Sequence, residues 1–125
     1  MLSVVESKLL TPMGLRTLAP DHPEYQGVYG TGLAQAEQYH RDITYHQGTV
    51  WPWLLGPWVN ARVYAHAADS QSMAFIRSHL QPIVAHISNE GCIGSINEIF
   101  DGNAPHTPRG CVSQAWSVAE LLRVL

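Results

Sequence analysis

Apolar positions recur with a helical period in several stretches of this chain and lose that period between them. The cleanest stripe runs from Met73 to Ile87, where Met73, Ile76, Leu80, Ile83, Val84 and Ile87 recur at helical spacing. That pattern lines one face of a helix, which Pro82 is expected to kink. A second helical segment opens at Trp51-Pro52 and continues to about Ala68, with Leu55, Trp58, Val59, Arg62, Val63 and His66 in phase. Pro52 suits a first turn, and Gly56-Pro57 should kink or restart the helix. The final helix is predicted to start at Ser113 as its N-cap, with Ala115, Val118, Ala119 and Leu122 on one face. Near the start, Val4, Val5, Leu9 and Leu10 give a short helical pattern without a clear capping residue. A helix with no start signal suggests a chain that begins inside a larger unit.

Between these helices the pattern is polar and rich in glycine and proline. Thr11 to Gly32 reads as one long ordered loop, and Gly94 to Phe100 as a short extended piece. The expected fold class is all-α, with three or four helices in a single partial domain over residues 1–125. Helical bundles normally use short connections, and long loops inside compact domains are usually functional. Here the loops hold the unusual residues.

Composition changes the picture in three ways. Charged residues make up 14% of the chain, well below the usual quarter, so some surface is expected to be covered. An exposed apolar helix face would then drive self-association. Seven Lys and Arg against ten Asp and Glu give a net charge of −3, with no basic patch, which argues against nucleic acid as a partner. No apolar run approaches the roughly 18 residues needed to cross a bilayer, and no membrane partner is expected. The first residues do not read as a secretory signal. Cys92 and Cys111 show no CxxC spacing and read as reduced thiols in a cytoplasmic protein, with a single disulfide as the alternative.

Candidate chemistry gathers in two loops. The first is Tyr45-His-Gln-Gly-Thr-Val-Trp-Pro-Trp53. Its aromatic rings offer flat apolar faces suited to the C–H faces of sugars, while His46, Gln47 and Thr49 could bond hydroxyls. Gly48 permits close backbone approach. Trp51 and Trp53 taken singly read first as core residues, since large aromatics dominate cores; their density beside a histidine and a glycine shifts the reading towards a ligand site. The second loop is residues 95–117, which place Glu98, Asp101, His106 and Arg109 between Gly and Pro punctuation. Asp101 before Gly102 reads as a turn residue, with Arg109 as its ion-pair partner. Glu98 lies between Ile96 and Ile99-Phe100, a setting expected to desolvate it partly and strengthen it as a base. The seven histidines include no zinc-type spacing, and no phosphate- or dinucleotide-binding motif occurs, so neither metal nor cofactor is expected. His66, His79 and His86 on helical segments read as surface or packing residues.

Three segments resemble the C-terminal part of bacterial-type glycogen debranching enzymes, the amylo-α-1,6-glucosidase domain. They are Leu9–Leu18, Tyr45–Pro57 and Gly94–Glu120, and the likeness runs over essentially the whole chain, least well at residues 28–42. The resemblance implies the C-terminal portion of an (α/α)6 toroid whose loops line an active-site funnel. It implies inverting hydrolysis of the α-1,6-linked glucose stub in a glycogen-like α-glucan, without metal or cofactor. Carried over, Glu98 matches the general base, and Tyr45, His46, Gln47, Trp51 and Trp53 would line the glucose subsite. Asp101, His106 and Arg109 would bind substrate in a supporting role. Inversion needs a second carboxyl group about 6.5–9.5 Å from the first. The family's general acid is an aspartate in a Trp-Met-Asp motif, which this sequence does not contain. A catalytically silent isolated chain is therefore expected. The alternatives are a non-catalytic carbohydrate-binding module and another toroidal glucosidase, trehalase-like or glucoamylase-like.

Overall fold

A computed structural model of the chain describes residues 1–30 and 34–125, with side chains described for 1–30 and 38–125. Among the described residues, helices are joined by a five-stranded antiparallel sheet, so the fold is mixed α and β. The all-α expectation was wrong, and with it the reading of the chain as part of a purely helical ring. The physical reason is strand length. β1 (Leu10–Thr11), β2 (Gly14–Arg16), β3 (Val50–Trp51), β4 (Ile99–Phe100) and β5 (Pro108–Arg109) each have two or three residues. Alternation cannot be read over so few positions.

The strands lie in sequence order, each antiparallel to the next. β1 and β2 form a tight hairpin closed by the Thr11 hydroxyl, which donates to the Gly14 carbonyl at 2.9 Å. Leu15 pairs with Trp51 and Arg16 with Val50. Val50 pairs with Phe100, and Ile99 with Arg109. The three segments singled out in the sequence are thus sewn side by side through backbone pairing.

Helices pack against this sheet. α1 (Leu2–Val4) runs into a wide π-type turn over Val5–Leu9. α2 (Ala34–Thr44) had no strong sequence signal, since most of its positions are polar. Trp51 leads through a 3₁₀ turn at Pro52–Leu54 into α3 (Leu55–Ala65), which places Pro57 in the first turn, where its missing N–H costs nothing. α4 (Ser70–Asn89) is capped by Asp69, whose carboxylate accepts the Ser72 N–H at 2.6 Å, and it continues through Pro82. α5 (Ala115–Val124) starts one residue later than expected, with Gln114 and not Ser113 at the N-cap, because the Ser113 hydroxyl bonds Ser95 at 2.7 Å and caps nothing.

Phe100, Val50, Leu15 and Ile96 from the sheet region meet Leu55, Trp58 and Val59 of α3, Ile76, Leu80 and Ile83 of α4, and Leu121 of α5 in one core. The α4 stripe is the one predicted. The α5 face is displaced by one position: Ser117 and Leu121 are buried, whereas Leu122 is 70% exposed. No described helix is long and apolar enough to cross a membrane.

Candidate functional site

β4 begins immediately after Glu98, and its pairing with β5 fixes the glutamate from both sides along the chain. The Glu98 N–H donates to the Cys111 carbonyl at 2.9 Å, and the Cys111 N–H donates back to Glu98 Oε2 at 3.1 Å. Oε1 accepts the Tyr45 hydroxyl in a short hydrogen bond and is approached by Gln114 Nε2 at 3.4 Å. Both carboxylate oxygens are therefore oriented, while the residue remains only partly buried. Gly110 completes the seat: a Cβ there would lie 2.5 Å from Glu98 Oε2.

Tyr45 stands at the centre of an aromatic group. Its ring lies 4.9 Å from Trp51, 5.0 Å from His46 and 5.9 Å from Tyr29. His46 stacks on Trp51 at 5.3 Å with ring planes 8° apart. Trp51 is buried, with its indole N–H shared between the Tyr45 carbonyl and the Thr49 hydroxyl, both at 3.2 Å. Burial raises the Tyr45 phenol well above the ordinary tyrosine range, helped by the hydrogen bond to Glu98 and by its charge. Tyr45 is consequently a proton donor across the neutral range. The Tyr29 phenol is raised too, chiefly by burial.

Asp101, Arg109 and His106 form a second group on the β4–β5 hairpin. Asp101 is 5% exposed. Arg109 grips it in a forked ion pair, with Nε at 3.2 Å from both oxygens and Nη2 at 3.0 Å from Oδ2. Asp101 Oδ1 also accepts the Tyr29 N–H at 2.8 Å. His106 Nδ1 meets the Asp101 carbonyl at 2.9 Å, which closes the turn between the strands. Both carboxylate oxygens of Asp101 are thus committed to the fold: the ion pair with Arg109 is present, but the side chain caps no local turn and reaches instead to the Tyr29 amide, far away in sequence.

Glu98, Tyr45, His46 and Trp51 are brought together, and the Tyr29 backbone and ring join this group to Asp101. Trp53 touches the cluster through Trp116, 5.9 Å away. Gln47 lies beside Gly48, but its backbone spends its carbonyl on the Gln26 N–H at 2.6 Å. The close approach at Gly48 is likewise to the Gln26 backbone and the Tyr25 ring, so this glycine serves packing within the chain.

Four partners of the site were not singled out from sequence: Tyr29, Cys111, Gln114 and Trp116. Cys111 acts through its backbone, which leaves no side-chain signal. Gln114 and Trp116 lie at the end of the 95–117 stretch, where the apolar spacing points to the start of a helix and gives neither residue a role of its own. Cys92 and Cys111 are both free and exposed.

A sequence model described as amylo-alpha-1,6-glucosidase matches residues 1–123. The chain belongs to the amylo-alpha-1,6-glucosidase family. The match covers the hairpin of β1 and β2, the Tyr45–Trp53 loop and the Glu98 seat alike, so all the groups described above fall within the family's own extent.

Proposed function

We propose that this chain is the base-bearing part of an inverting glucosidase that removes α-1,6-linked glucose stubs from glycogen-like α-glucans. One observation carries the proposal: Glu98 is oriented at both oxygens by Tyr45, Gln114 and the Cys111 amide, yet keeps a surface open to solvent. A general base needs that combination, because it must hold a water in line with the anomeric carbon without being neutralised by an ion pair. In the proposed step a water oxygen attacks the anomeric carbon, the exocyclic C–O bond breaks, and Glu98 takes the water's proton. The leaving oxygen must receive a proton from a second carboxyl group. Asp101 is a poor candidate for that acid, being buried and gripped by Arg109. The acid would be supplied by an aspartate outside this sequence, and the chain by itself would release no glucose.

The test has two arms. The isolated chain, incubated with a glucosyl-stub limit dextrin, is expected to release no glucose above background. In a polypeptide joining this segment to the acid-bearing part of the domain, Glu98→Gln is expected to lower kcat by about 10²–10⁴-fold, the usual contribution of a positioned base. A Glu98→Gln variant that kept the parent rate would end the assignment.

A further inference from the structure

We propose that the exposed face of Trp116 is a platform on which a glucosyl unit of an α-glucan stacks, next to the Glu98 carboxylate. The inference deepens the glucosidase reading and rests on it for the choice of sugar as ligand. Trp116 sits in the first turn of α5, 50% exposed. Its ring is braced by two other indoles, Trp51 at 6.1 Å and 63° and Trp53 at 5.9 Å and 38°.

Trp58 is 2% exposed and donates its indole N–H to Glu6 Oε1 at 3.1 Å, as a core tryptophan should. Trp51 is 4% exposed, with its N–H also committed. The indole N–H of Trp116 has no hydrogen-bond partner among the described residues, and half its surface faces water. A ring held rigid by neighbouring indoles yet left open on one side pays little entropy on stacking with a ligand.

The polar groups beside it define what the ligand is. Gln114, two residues earlier, directs its carboxamide at Glu98 Oε1. His46, exposed, stacks on Trp51, the same indole that braces Trp116. An exposed indole in an aromatic group that also carries a carboxylate, a carboxamide and an imidazole suits a pyranose, whose C–H face is apolar and whose rim is hydroxyl.

The isolated chain suffices for the test, since binding needs no acid. Its four tryptophans give four indole N–H resonances, and Trp116→Phe identifies the one from Trp116. Maltotriose is expected to move the Trp116 signal saturably and leave Trp58 still, whereas sorbitol at the same concentration moves neither. Trp116→Ala should weaken maltotriose binding about tenfold or more, as truncating an aromatic anchor does, while Trp116→Phe changes it little. Far-ultraviolet dichroism and a thermal melt on each variant establish that it is folded. Saturable binding undiminished in Trp116→Ala, or a Trp116 signal unmoved by maltotriose, would overturn the platform. The role of Glu98 stands or falls separately, on the hydrolysis measured for Glu98→Gln.

Discussion

The Tyr45 hydroxyl donates to Glu98 Oε1 across 53 residues of sequence. Loss of that bond in Tyr45→Phe is expected to cost about 1 kcal/mol at neutral pH, the net worth of a partly buried hydrogen bond. The alkaline limb is more telling. Because the folded-state phenol is raised, the native chain holds this proton more tightly than the unfolded one. The resulting stability is full below the unfolded tyrosine value and drains away as pH rises above about 10. Urea midpoints measured on either side of that pH should fall less steeply in Tyr45→Phe than in the parent chain. The Tyr29 phenol, raised in the same direction, supplies part of what remains.

Asp101 makes a contrasting carboxylate. Its forked pair with Arg109 and its bond to the Tyr29 N–H assign it to holding the β4–β5 hairpin against the aromatic group. Asp101→Ala strands the Arg109 guanidinium and the Tyr29 amide and should cost about 2–3 kcal/mol, reduced from a fully buried pair because Arg109 is partly exposed. A double-mutant cycle with Arg109→Ala, read by denaturant unfolding, should recover a favourable coupling between the two. Purely additive losses would show that the fork contributes nothing.

Gly110 offers a way to disturb Glu98 without touching it. Gly110 and Gly94 both have positive φ, +66° and +87°. An added Cβ meets open space at Gly94 but lies 2.5 Å from Glu98 Oε2 at Gly110. Gly94→Ala therefore carries backbone strain alone, about 1 kcal/mol or slightly more. Gly110→Ala carries similar strain and also displaces the carboxylate. The side-chain carboxyl resonance of Glu98 should move in Gly110→Ala and stay in place in Gly94→Ala, with the larger loss of stability in the former.

The helical parts of the fold were legible where a long stripe faces one core. Ile76, Leu80 and Ile83 are buried as their spacing demands. The sheet was not legible, because pairs such as Val50 with Phe100 are single contacts between segments far apart in sequence, and local pattern carries no record of them. The same limit governs the site. Glu98, Tyr45, His46 and Trp51 could be named from residue type and setting, but the Cys111 amide that holds Oε2 is invisible to any side-chain reading. Ser113 looked like a helix cap by type, and only tertiary structure reveals Ser95 as its partner.

His86 supplies the last test, one that reaches Glu98 through its neighbour in sequence. The ring is 2% exposed, packed edge-on against Phe100 at 5.0 Å. Nδ1 faces Glu90 Oε2 and Nε2 faces Asn97 Oδ1, each at 3.2 Å. Asn97 is itself buried and directly precedes Glu98, so the imidazole ties α4 to the start of β4. His86→Leu leaves a buried carboxamide without this partner and should cost about 1–3 kcal/mol, the desolvation penalty of an unpaired polar group. Replacing both members, in His86→Leu with Asn97→Leu, removes the unpaired group as well as the bond. Its cost should fall below the sum of the single losses, because residues in one hydrogen-bonded network are not independent. Denaturant unfolding of the four proteins measures that difference directly. Strict additivity would mean that the two side chains stand close together without acting on one another.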